Sequence, residues 1–161
     1  MPGRTSAGLL LFRHAAAPPG RPEVLLGHLG GPFWARKDDG AWSIPKGEYG
    51  PDEDAYAAAL REFAEELGRD APAGIVPIDL GESRRNGKTI RIWAAEAEFD
   101  ADAIVSNTFE LEWPPRSGRL QSFPEFDRAA WFPLETARNK VSAGQVVFLD
   151  RLRERLPRTA E

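Results

Sequence analysis

Apolar positions along this chain fall into short runs divided by glycine and proline. Ser6–Phe12 (SAGLLLF) and Glu23–Gly27 (EVLLG) are uninterrupted enough to predict two strands, with a turn at Pro18-Pro19-Gly20 between them. Ile75–Leu80 and Thr89–Ala97 predict two more. Between these lies Asn86-Gly87, a dipeptide suited to the positive φ angles of a tight hairpin. Gly30–Gly40 is polar and glycine-rich and reads as a loop, followed by the short apolar run Ala41-Trp42-Ser43-Ile44.

Two stretches switch to a helical period. Asp52–Leu67 follows Pro51, is rich in Ala, Glu and Leu, and stops at Gly68, a suitable C-terminal cap. Ser142–Leu156 places Val146, Val147, Leu149, Leu152 and Leu156 against arginines and is closed by Pro157, and Leu134–Asn139 adds one short helix. The order of elements predicts a mixed sheet packed between helices, an α/β or α+β layered fold. No internal repeat interrupts it, and 161 residues are expected to form one domain, residues 1–161.

Composition narrows the chemistry. Hydrophobic residues make up 42% and charged residues 29%, with 25 acids against 21 bases and a net charge of -4. Coating of nucleic acid relies on a basic face and is not expected. The absence of cysteine excludes disulfides, thiolate metal sites and cysteine nucleophiles. Gly8–Phe12 is too short for a signal segment or membrane span, so a cytoplasmic protein is expected. The acidity is concentrated: residues 47–68 hold seven acids and one arginine, net -6, and the rest of the chain is net +2.

On a helical wheel, Tyr56, Ala59, Leu60, Phe63 and Leu67 share the packing side of the Asp52–Leu67 helix, while Glu62, Glu65 and Glu66 crowd another. Like charges at this spacing cost on the order of 0.2–0.5 kcal/mol per pair, which a bound cation offsets. Oxygen ligands without His or Cys suit Mg²⁺ or Mn²⁺. Glutamate clusters on helices are more often solvated faces, so the three residues by themselves do not decide the matter.

The wider pattern does more. Gly47, Glu53, Arg61, Glu62, Phe63, Glu65, Glu66 and Gly68 stand at the spacing of the Nudix hydrolase signature, and residues 47–69 resemble that box; Arg69 departs from its usual aliphatic end. Trp42-Ser43-Ile44-Pro45-Lys46-Gly47 is similar to the lead-in of diadenosine polyphosphate hydrolases. Phe123-Pro124-Glu125 and Ala130-Trp131-Phe132 resemble a second acidic position and the strand after it. The resemblance spans residues 5–156. It implies an α/β/α sandwich and a Mg²⁺-dependent pyrophosphohydrolase, in which water attacks phosphorus in a nucleoside diphosphate derivative such as a dinucleoside polyphosphate or nucleoside triphosphate.

Carried over by position, Glu62, Glu65, Glu66 and Glu125 are expected to hold metal together with the Lys46 carbonyl. Arg61 is expected to orient the glutamates and Glu53 to brace the segment, with Glu125 a ligand or the general base. Lys46, Lys37 and Lys88 are the substrate-side cations, with Arg36, Arg84, Arg85 and Arg91 as further candidates. Trp34, Trp93, Phe109 and Phe126 are candidates for stacking on a base, although core packing is the commoner role. His14 and His28 have no partner at ligand spacing and read as incidental.

The tyrosine that often marks the dinucleotide group shortly past the box, and the proline that marks ADP-ribose hydrolases, are both absent; Arg84–Gly87 occupy that region. Hydrolysis of sugar or cofactor diphosphates also remains open. The alternative is a non-catalytic Nudix-fold module or regulator that binds a nucleotide, although such modules generally lose box glutamates. Many members pair as dimers, so a homodimer is a further expectation. Gly81–Thr89 looks like a P-loop, but it has five residues between its glycines and leads into a strand pattern, so a hairpin explains it better.

Overall fold

The computed structural model describes residues 4–16 and 20–157, so Pro18 and Pro19 of the expected turn lie outside the described residues. The chain runs β1 (Arg4–His14), β2 (Pro22–Leu29), β3 (Trp42–Ser43), β4 (Lys46–Glu48), α1 (Ala55–Leu67), β5 (Ile78–Arg85) and β6 (Lys88–Glu96). It continues through β7 (Thr108–Glu112), β8 (Leu120–Pro124), β9 (Phe126–Pro133), α2 (Leu134–Lys140) and α3 (Val146–Arg155). Seven strands form one sheet in the order β3-β2-β1-β6-β5, with β4 beside β1 and β9 beside β2; β7 and β8 form a separate ribbon. β1 is parallel to β6 and antiparallel to β2 and β4, so the sheet is mixed.

Period-two alternation explains the unbroken apolar run of β1, which has a helix layer on each side. Leu10 and Phe12 join Val24, Leu26 and Ile92 on one face, under Leu134 and Ala137 of α2 and Phe148, Leu149 and Leu152 of α3. Leu9 and Leu11 join Leu25, Trp93 and Ala95 on the other, under Ala58, Ala59, Phe63 and Leu67 of α1. The expected α/β/α layering is therefore observed, and Tyr56 and Leu60 pack at the margin of the α1 layer.

The expected hairpin is also observed. Arg85 pairs with Lys88, and Asn86 and Gly87 have φ of 53° and 75°, the double positive a two-residue turn of this kind requires.

Several boundaries move. α1 begins at Ala55 rather than Asp52, because Asp54 takes the cap position and its side chain accepts from the Ala57 N–H at 3.0 Å. The strand expected at Ile75–Leu80 starts at Ile78, past Pro77, whose ring nitrogen has no hydrogen to give a ladder. Ile75 packs instead against the α1 layer. The helix expected from Ser142 opens with a 3-10 turn at Ala143–Gln145 and becomes α-helical only at Val146. The β7–β8 ribbon is an addition to the expected elements. None of the helices among the described residues is long and apolar enough to cross a membrane.

Candidate active site

Three segments meet at one end of α1. The first is β4, whose Lys46 pairs with Gly8 of β1. A Cβ on Gly8 would lie 2.5 Å from the Pro45 carbonyl oxygen and 2.7 Å from Lys46 Cβ, so this close approach requires glycine. The second is α1 itself, closed by Gly68 at φ 76°, whose N–H donates to the Ala64 carbonyl at 2.8 Å. The third is the turn between β8 and β9, which carries Glu125. Backbone hydrogen bonds run from the Asn107 N–H to the Glu65 carbonyl and from the Glu125 N–H to the Asn107 carbonyl, each at 2.9 Å. On its other side the Gly30 N–H donates to the Glu125 carbonyl at 2.9 Å, and a Cβ on Gly30 would run into Pro124. Glu125, distant in sequence, is thus fixed to the end of the carboxylate helix.

The carboxylates fall into two environments. On one side Arg61 grips Glu53 with both Nε and Nη2, at 2.8 and 2.9 Å, and Nη1 donates to Glu62 at 2.8 Å and Glu65 at 3.2 Å. These hydrogen bonds, led by the one to Glu53, raise the Arg61 pKa further, and Arg61 in turn holds Glu53 below the usual carboxylate range.

On the other side Glu66 accepts a hydrogen bond from the Lys46 N–H at 3.3 Å. Burial, followed by the nearby charge of Glu62, pushes its carboxyl up to about 9; the Lys46 N–H and charge oppose this, and Glu125 adds to it. Burial also raises the Glu62 and Glu125 carboxyls, and for Glu62 the Arg61 hydrogen bond opposes the rise. A Cβ on Gly47 would run into the Glu62 carboxylate, so glycine there leaves the space this group occupies.

The NUDIX domain family model matches residues 4–152. The chain belongs to the Nudix family. The expected enzyme class, a hydrolase acting on phosphoric anhydrides, stands with that membership. Among solved structures, the C. elegans Ap4A hydrolase binary complex is similar at 23% identity and a TM-score of 0.60, over 94% of this chain and 96% of that one. A Nudix hydrolase from M. smegmatis, RenU, is 24% identical with a TM-score of 0.60, over 98% and 89%. The Nudix domain of Shewanella oneidensis NrtR, complexed with ADP ribose, is 19% identical with a TM-score of 0.59, over 95% and 88%. At these identities the likeness is one of fold. A sequence search of curated proteins matches none.

Within this Nudix domain, among the described residues, no three His, Cys, Asp or Glu groups close around a single point. Arg61 accounts for part of this, since it draws Glu62 and Glu65 toward itself. The substrate-side cations are dispersed. The Lys46 backbone lies against Glu66. Lys37 sits in loop 30–40 with its ammonium 5.2 Å from the Trp34 ring. Lys88 pairs with Arg4 along β1, four residues from Gly8 and so about 13 Å along the strand from the Lys46 pairing. Arg91 is engaged by Asp79 at 2.7 Å and lies over Trp93.

Of the stacking candidates, Trp93 and Phe126 are core, and Trp34 packs partly against the α2–α3 layer. Phe109 faces Phe123 and Gly31. The exposed aromatic in this region is Phe33, which meets Trp113 edge-on at 5.3 Å; neither stands out in the sequence pattern. His14 is incidental to the site, beside the Gly20 carbonyl and Glu96. His28 is not incidental. It is wholly buried and both ring nitrogens are engaged, by Asp127 at 2.9 Å and the Lys37 carbonyl at 2.7 Å.

Proposed function

We propose that this Nudix domain is a Mg²⁺-dependent pyrophosphohydrolase that cleaves the diphosphate linkage of nucleoside diphosphate derivatives, dinucleoside polyphosphates or nucleoside triphosphates. The observation that carries the reading is Glu66: a carboxyl desolvated beside Glu62 and Glu125, with only the Lys46 N–H and charge in opposition. Carboxylates forced together in this way are stabilised by a shared cation, and an all-oxygen donor set suits Mg²⁺ or Mn²⁺. The space that Gly47 leaves at Glu62 supports the same fit. Glu62, Glu65, Glu66 and Glu125 would hold the metal, with the Lys46 carbonyl by its position in the box. A divalent cation held by these residues would supply charge neutralisation of the diphosphate and a more acidic water.

The remaining work falls to the chain. Arg61 and Glu53 keep the box rigid and aim Glu62 and Glu65. A carboxylate oxygen of the Glu62–Glu66–Glu125 group that is left free of metal would accept the proton of the attacking water. Lys46 and Lys37 contribute positive charge for the phosphates, while Lys88, farther along the strand, is suited only to a long polyphosphate or a second nucleoside.

A panel of dinucleoside polyphosphates, nucleoside triphosphates and nucleotide sugars, assayed with Mg²⁺ or Mn²⁺ in ¹⁸O-water, tests the reading. Metal-dependent turnover with label in a phosphate product is expected. Nucleotide binding without turnover of any panel member would instead support the non-catalytic module.

A further inference from the structure

Three polar side chains among the described residues are buried in the core: His28, Ser43 and Gln145. Ser43 and Gln145 satisfy each other and the backbone of Ile44. His28 is the titratable one, and it lies where loop 30–40 folds back on the sheet. Nδ1 is 2.9 Å from the Asp127 carboxylate and Nε2 is 2.7 Å from the Lys37 carbonyl. Trp42 closes over it edge-on at 5.0 Å, and Arg128, which reaches Asp127 at 3.4 Å, lies above Trp42.

Both partners of His28 accept hydrogen bonds. The ring presents one nitrogen to each, so a single rigid side chain spans the gap between loop and strand in two opposed directions. The two ends of this bridge are placed with purpose. Lys37 lies in the loop that leaves β2, and Asp127 stands two residues past Glu125 on β9. The same loop begins at Gly30, whose N–H holds the Glu125 carbonyl.

We propose that His28 is a positioning residue: by bridging the Lys37 carbonyl and the Asp127 carboxylate, it fixes loop 30–40 to β9 and so sets the Lys37 cation relative to Glu125. This rests on the reading above, in which Lys37 meets substrate phosphate. A second anchor of the loop gives an internal comparison. Lys140 bonds Asp38 at 2.6 Å and approaches Asp39 at 3.4 Å, but both aspartates are largely exposed and the pairs are screened by solvent. The His28 tether is the stronger one, because its ring is wholly buried and loss of the bridge leaves the Lys37 carbonyl without its partner.

The test combines hydrogen exchange of the 31–40 amides with steady-state kinetics on a Mg²⁺–dinucleoside polyphosphate, using the full chain. His28→Phe, which keeps the volume, is expected to speed loop exchange and raise KM by about tenfold each, with kcat within about threefold. His28→Gln retains one donor and is expected to recover part of both. Asp127→Ala, at an accessible position, gives an intermediate effect and serves if the core variants fold poorly. Lys140→Met should leave exchange and kinetics within about twofold.

Unchanged loop exchange in His28→Gln and Asp127→Ala would overturn the proposal. So would a fall in kcat at constant KM that follows the folded fraction, since that is what a merely structural residue produces. If the wild type turns over nothing while its loop is protected and the variants lose that protection, the hydrolase reading falls and the tether stands. Turnover with loop exchange unaffected by these variants removes the tether and leaves the hydrolase.

Discussion

The two sides of α1 carry the same residue type in opposite electrostatic states. On the Arg61 side, Glu53, Glu62 and Glu65 share one guanidinium, and Glu53 is held below the ordinary carboxylate range. On the Lys46 side, Glu66 is pushed up to about 9 by burial and by the nearby Glu62 and Glu125. Glu62 belongs to both, held by Arg61 yet raised by its own burial. One side is tied together by a guanidinium and acts as a brace. The other crowds desolvated carboxyls together with little positive charge from the chain to help them ionise, which is the arrangement expected of groups that serve a cation from outside.

Substitutions that respect this division should separate activity from stability. Glu66→Gln is expected to have the largest effect, lowering kcat by about 10²–10³-fold, as loss of one electrostatic stabiliser does in other active sites. Its melting temperature should hold or rise, because a crowded buried carboxylate has been removed. Wild-type kcat in this variant would mean that the metal is held elsewhere. Gly47→Ala comes next: the new methyl displaces the Glu62 carboxylate, and a displacement of about 1 Å is enough for a loss of roughly 10²-fold in kcat/KM.

Arg61→Met should do the reverse of Glu66→Gln. It frees three carboxylates at once and is expected to cost about 1 kcal/mol of stability, a modest figure because the guanidinium is partly solvated. Activity should fall less steeply than in Glu66→Gln. Arg61→Lys restores the charge but not the two-pronged grip on Glu53, so its melting temperature should lie between the two. Equal melting temperatures for all three proteins would remove the brace from the account.

The last effect concerns pH. The folded Glu66 pKa lies above its unfolded value of about 4.5. Between that value and about 9 the metal-free fold therefore keeps a proton that the unfolded chain releases. Stability of the metal-free protein should decline as pH rises through this window. Mg²⁺ binds the ionised form, so the increase in melting temperature it produces should grow with pH and level off above about 9. Thermal melts with and without Mg²⁺ from acid to alkaline buffer read this directly. A metal-induced increase that shrinks with pH has the wrong sign for the mechanism.

The sequence disclosed these regions unequally, for physical reasons. The α1 carboxylates are legible because a helix turns a local spacing into a shared face, and the apolar run of β1 announces a strand buried on both sides. Glu125 is reached only through the resemblance, since its place beside α1 depends on backbone hydrogen bonds through Asn107 and Gly30 that no local pattern encodes. His28 is less legible still: its partners lie 9 and 99 residues away, and a single histidine in an apolar strand has no spacing to read. The β7–β8 ribbon left a partial signal: Thr108–Glu112 alternates with the period two of a half-buried strand, but its partner Leu120–Pro124 is largely exposed and shows no such alternation.

The division of α1 into a brace and a cation-receiving side is tested most directly by locating the ion. Crystals soaked in Mn²⁺ and measured at its anomalous edge should show density against Glu66 and Glu62 on the Lys46 side, within reach of Glu125. The Arg61–Glu53 pair should stay intact. Density against Glu53 with none at Glu62 or Glu66, or no density at millimolar Mn²⁺, would contradict the account.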